Sequence, residues 1–95
     1  MTTNREKISL QSRGMGKLHE QGNWLIRVHG NEHPPVHVHV LHPDGRAIID
    51  VDGNVLNQGV PAQVIAAAAV WVAANVDAIR AEWARVGNPP VRSQA

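Results

Sequence analysis

Val36-His37-Val38-His39-Val40-Leu41 alternates apolar and polar residues, and Pro43-Asp44-Gly45 then turns the chain back into Arg46 to Asp52. A period of two describes a strand with one buried and one polar face, whereas a helix would spread the same valines around its circumference. The two segments therefore read as an antiparallel hairpin. A two-residue turn at Asp44-Gly45 sets Leu41 opposite Ile48, His39 opposite Asp50 and His37 opposite Asp52. In that register Val36, Val38, Val40, Ala47, Ile49 and Val51 share the core face, and the imidazoles and carboxylates share the other. A three-residue or bulged turn would move the register by one and undo this assignment.

A lone hairpin is at best marginally stable in water, so further strands and a covering layer are required. Gly16 to Glu20 and Trp24 to His29, joined by Gln21-Gly22-Asn23, supply a second hairpin, and Val55-Leu56 after Asp52-Gly53-Asn54 supplies a last short strand. Pro61 is suited to the first turn of a helix that runs to Val86, with Gly87 as a left-handed C-cap. Ile65, Ala69, Val72, Val76, Ile79, Trp83 and Val86 recur three and four apart and form its buried stripe. Trp71 lies off that stripe and points to a second surface, which makes a homodimer through the helix an expectation. The predicted fold is α+β, a mostly antiparallel sheet of about four strands packed on one long C-terminal helix. Residues 1–14 read as a flexible arm, 15–87 as the single domain and 88–95 as a tail, since 95 residues leave room for one core.

Composition excludes several classes. With no cysteine there is no disulfide, thiolate nucleophile or Cys-type zinc site, so a metal would have to be held by imidazole and carboxylate. A formal charge of +1 gives no broad field for duplex nucleic acid. The N-terminal residues lack the apolar core of a signal peptide, and the longest uncharged apolar run, Val64 to Ala74, is shorter than the roughly 20 residues of a membrane span. A cytoplasmic protein without a membrane span is expected. Nucleotide-loop, nucleophile-elbow and kinase signatures are missing.

Chemistry concentrates in His29, His33, His37, His39 and His42, five of the six histidines within fourteen residues. On a strand His37 and His39 project from one face, with Asp50 and Asp52 facing them from the next. One use is an acid and base pair acting on a ribose hydroxyl and its leaving group, with each Asp fixing a tautomer. A second is a divalent transition-metal site built on His33, His37 and His39. A third is a polar sheet face whose cross-strand pairs only stabilise, by roughly 0.2–1 kcal/mol each. Alternation places Arg27 on the same face, where its guanidinium could clamp a phosphate or pair with Glu32 or Asp50. Pro34-Pro35 stiffens the approach to the His-x-His strand.

His33-Pro34-Pro35-Val36-His37-Val38-His39-Val40 resembles a bacterial family, domain of unknown function four-one-six-zero, whose hallmark reads Asp-His-x-Pro-Pro-His-Phe-His. The likeness continues through Ile49-Asp50-Val51, the Gly53 turn, a helix with Trp71 and Trp83, and Gly87 followed by Pro89-Pro90. Glu32 stands for the usual Asp and Val38 for Phe, and the proline pair is one place closer to His33. The resemblance implies a small sheet-plus-helix protein often encoded beside a second small gene, in arrangements like toxin and antitoxin pairs, and carries the histidine motif to His33, His37 and His39. The leading expectation is thus a toxin-like component with a cognate small protein partner. In that reading it is an RNA-cleaving hydrolase with His37 and His39 as acid and base, Asp50 and Asp52 as orienters and Arg27 on phosphate. The alternative is a non-catalytic metal-holding or partner-binding module on the antitoxin side.

Overall fold

Short turns divide the chain into β1 (Lys17–Gln21), β2 (Trp24–Arg27), β3 (His37–His42), β4 (Gly45–Asp50) and β5 (Val55–Gln58), followed by helices α1 (Ala62–Ala74) and α2 (Val76–Arg85). This computed structural model describes residues 16–89, so the expected arm and the tail beyond Pro89 lie outside the described residues. Each strand runs antiparallel to its neighbour in sequence, and the sheet order is the chain order. That order follows from connections too short to cross over. The sheet has five strands where about four were expected, and the last, Val55–Gln58, is two residues longer than the expected Val55-Leu56 and pairs with β4 from Ile49 to Arg46.

The β3–β4 turn is Pro43-Asp44 instead of Asp44-Gly45. His42 pairs with Gly45, and every pair is displaced by two: Leu41 faces Arg46, His39 faces Ile48 and His37 faces Asp50. Two local contacts explain the choice. The Asp44 N–H donates to His42 Nδ1 at 3.0 Å, which closes the turn one residue early. Gly45 then lies against β5, where a Cβ would come within 2.1 Å of the Gln58 carbonyl oxygen. The glycine is thus needed for close strand approach and not for a positive φ. A displacement of two leaves every side chain on its expected face. Accordingly Val36, Val38, Val40, Ala47 and Ile49 are all buried, together with Trp24, Ile26 and Val28 of the β2 side.

The single long helix is instead two helices bent by 83° at Asn75. Asn75 lies off the apolar stripe, so periodicity runs straight through it. Its side-chain amide donates to the Trp71 carbonyl at 2.8 Å and its own carbonyl accepts from Ile79 N–H at 3.0 Å, ending one helix and starting the next. The bend lets α1 lie against β4 and α2 reach β1. Together they bury Ala68, Val72, Ile79 and Trp83 against the sheet. Trp71 meets its own sheet, stacking on His19 of β1 with ring centroids 5.2 Å apart. At the far end Asn88 N–H donates to Trp83 O and Gly87 N–H to Ala84 O, with Gly87 at φ 89°, the paired bonds of a Schellman cap. Among the described residues no single helix is long and apolar enough to cross a membrane.

Ile79 is wholly buried between α2 and the sheet, whereas Val70 on α1 is 70% exposed. Ile79→Ala is expected to cost about 2–4 kcal/mol in urea unfolding, and Val70→Ala less than about 0.5 kcal/mol. Equal effects would contradict this placement of the helices.

Candidate functional site

The side of the sheet opposite the valines carries His39, with His37 at its margin against Trp83 of α2, whereas His19 lies against Trp71 of α1. His39 sits at mid-strand in β3, paired with Arg27 of β2 and Ile48 of β4. His37 starts β3, and His29 lies two residues beyond the end of β2. The loop between them folds back because Asn31 adopts φ 60°, a left-handed conformation that a short polar side chain tolerates. Asn88 holds that fold. Its amide donates to the His29 carbonyl at 2.8 Å and its carbonyl oxygen accepts from Glu32 N–H at 2.9 Å. With Asn88 only 6% exposed, both ends of this clamp are shielded from water.

Glu32 is thereby placed among three imidazoles. One carboxylate oxygen, Oε1, lies 3.1 Å from His37 Nε2, and the other, Oε2, lies 3.3 Å from His39 Nε2 and 4.0 Å from His29 Nδ1. The His29 and His39 rings stack with centroids 3.8 Å apart, and His37 stands edge-on to His39 at 5.2 Å and to Trp83 at 5.3 Å. His37 Nδ1 faces the Pro35 carbonyl oxygen at 2.8 Å. Both His37 nitrogens thus face protein acceptors. His39 differs. Its Nε2 is fully buried and lies within ion-pair reach of Glu32 but off the line of a hydrogen bond.

Burial lowers the His39 pKa below its ordinary 6.5, and the adjacent His29 lowers it further, against the opposing pull of Glu32. His29 is lowered for the same leading reason, burial, which with Arg27 and His37 outweighs Glu32. Both rings are therefore neutral near pH 7 and carry a lone pair. One donor atom each from His29, Glu32 and His39 lies within 4.8 Å of the other two. Zinc-type bonds of about 2.0–2.1 Å hold tetrahedral donors roughly 3.3–3.4 Å apart. The His39–Glu32 separation of 3.3 Å already has that value and the His29–Glu32 separation of 4.0 Å is close to it, while the stacked His29 and His39 rings, 12° from parallel, must turn apart for both in-plane lone pairs to reach one ion.

The other residues singled out by sequence are distributed differently. Asp50 is the cross-strand neighbour of His37, but its carboxylate accepts from Asp52 N–H, Asn54 N–H and Asn54 Nδ2 at 2.9–3.0 Å and closes the β4–β5 turn. Desolvation raises its pKa, yet those hydrogen bonds and one from Gly53 outweigh it and hold the carboxyl below its usual value. Asp52 is exposed in that turn, and His33 is exposed in its loop. Neither belongs to the converging donor set among the described residues. Arg27 lines a recess with His29 and Gly30, and its buried Nε has no hydrogen-bond partner. His19 and His42 serve the Trp71 contact and the β3–β4 turn.

The DUF4160 family, a domain of unknown function, matches residues 23–84. The chain belongs to this family. No curated protein and no solved structure matches it. The DUF4160 match spans β2 to α2, and with them every residue of the histidine and Glu32 cluster. Sequence spacing includes His29 in the histidine cluster but does not join it to Glu32, because their approach depends on the Asn31 turn and on Asn88, just past the matched segment.

Unfolded histidine titrates near 6.5, above folded His29 and His39. Below that pH the unfolded chain binds more protons, so stability is full above about pH 7.5 and falls as the pH drops through 6.5 toward the folded values. Urea midpoints measured from pH 8 to 5.5 should decline on the acid side, with a flatter profile for the His29→Asn/His39→Asn variant. An unchanged slope in that variant would contradict the assignment.

Proposed function

We propose that this DUF4160 member is a metal-holding domain whose ion, a divalent transition metal, is bound by His29, Glu32 and His39. The observation that carries this is the buried Nε2 of His39, off the line of a hydrogen bond and facing a carboxylate oxygen at 3.3 Å, beside a second neutral imidazole. A bare lone pair on Nε2 would repel that oxygen, so the contact calls for a proton on Nε2 or a cation between the two atoms. Two imidazoles and one carboxylate suit zinc, iron, manganese or nickel. Three protein donors leave positions open, the pattern of a reactive ion rather than a purely structural one. His37 acts on the ion through Glu32: its Nε2–H holds Oε1 and leaves Oε2 for the metal, while Pro35 fixes its ring.

Acid and base catalysis of RNA cleavage by His37 and His39 is a second reading. The 5.2 Å spacing of the two rings and the neutral state of His39 favour it. Against it, both His37 nitrogens are engaged by protein acceptors, which leaves none for a leaving group. A toxin-like role beside a cognate protein is compatible with either chemistry and rests on the family resemblance alone.

Zinc or cobalt titration at pH 7.5, with metal analysis after gel filtration, tests the proposal. About one ion per chain is expected, weakened at least tenfold by His39→Ala or Glu32→Gln and unchanged by His33→Ala. Unaltered binding in the first two variants, with circular dichroism showing them folded, would overturn it. Chelator-resistant RNA cleavage abolished by His37→Ala would favour the second reading.

A further inference from the structure

Beside the proposed ion the uncovered sheet face holds a groove of about 310 Å³, within the range of small-molecule sites. His29 and His39 form one end, Leu41, Ile48 and Leu56 the apolar floor, and Arg46 and Gln58 the other end. Leu56 is 61% exposed, so the floor is open to a ligand. Register sets the span: Arg46 pairs with Leu41, two residues along β3 from His39. Two strand residues and one strand spacing put these backbone positions roughly 8 Å apart. The one carboxylate beside the groove is Glu32, behind His29 and His39 at the ion end, and among the described residues neither Arg46 nor Arg27 has an acidic partner within ion-pair distance. Arg27 is near enough to His29 that its charge helps lower that ring's pKa.

Positive charge therefore stands at the Arg46 end of an apolar floor, and the ion would supply it at the His29 and His39 end, with Arg27 in the adjoining recess on the other side of His29. From this we infer that the groove binds a nucleotide. Its phosphate takes an open position on the ion. The base covers Leu41, Ile48 and Leu56, and its polar edge meets the Arg46 guanidinium and the Gln58 amide, both suited to base edges. Adenosine or inorganic phosphate alone would satisfy only half of the site. The inference rests on the metal-holding reading, and the ligand is either a free mononucleotide or one unit of an RNA strand.

The test is calorimetric titration of the full chain, first with zinc and then, zinc-loaded, with AMP, GMP, adenosine, inorganic phosphate and a five-nucleotide RNA. Saturable binding of a nucleotide at least tenfold tighter than of adenosine or phosphate is expected. Arg46→Ala should weaken it tenfold or more while leaving zinc affinity unchanged. RNA bound tenfold tighter than AMP or GMP assigns the site to a strand, and equal binding assigns it to free nucleotides; either result supports the inference. Zinc binding without nucleotide binding overturns the inference and leaves the metal reading intact, as does phosphate bound as tightly as AMP. No zinc binding overturns both.

Discussion

Burial of Val36, Val38 and Val40 is the constraint on which the rest of the molecule depends. Val38 and Val40 lie on β3, the middle strand of five, Val36 immediately precedes it, and none is more than 1% exposed. Each such side chain contributes roughly 1.5–3 kcal/mol, so the face they occupy is not negotiable. With a period of two, His37 and His39 must then project from the opposite face. The valines thus hold the histidines in place without touching them. The helices cover the valine side and touch the histidines only where Trp83 meets His37 and Trp71 meets His19, which leaves the rest of the His39 face to loops and to any ligand.

A second constraint acts through hydrogen bonds. Glu32 and His29 are brought to β3 by a clamp from Asn88, a residue 56 positions later in the chain than Glu32. Closing the helix C-terminus at Gly87 is what aims Asn88 inward, so the same cap that ends α2 also holds the loop. Burying an amide is favourable only when its donors and acceptors are matched, and here both are. In contrast His39 Nε2 is buried without a match. A fold that satisfies Asn88 completely and leaves His39 open concentrates its unmet polar demand at one atom, beside a carboxylate.

The faces of β3 and β4 were legible in the sequence because alternation survives a displacement of two, although the pairing of individual residues did not. Nothing in the pattern distinguishes Pro43-Asp44 from Asp44-Gly45 as the turn, since what decides it is Gly45 against the Gln58 carbonyl, a contact across strands. The helix break was hidden for a similar reason: Asn75 sits between stripe positions, where apolar periodicity carries no information. His37 and His39 were legible as a pair on one face. Their partnership with Glu32 was not, because it requires a left-handed residue and a long-range clamp. Asp50 was read as an orienter by cross-strand position, yet its carboxylate is satisfied by its own turn.

The central claim is that neutral His29 and His39 present lone pairs to one cation shared with Glu32. Long-range nitrogen–proton correlation spectra of the imidazole rings, recorded at pH 7.5 during zinc addition, test it most directly. The account predicts that His39 Nε2 and His29 Nδ1 shift together and saturate at one equivalent, with His33, His19 and His42 unmoved. Shifts confined to those three exposed or turn-bound rings, or no shift at His39, would contradict it.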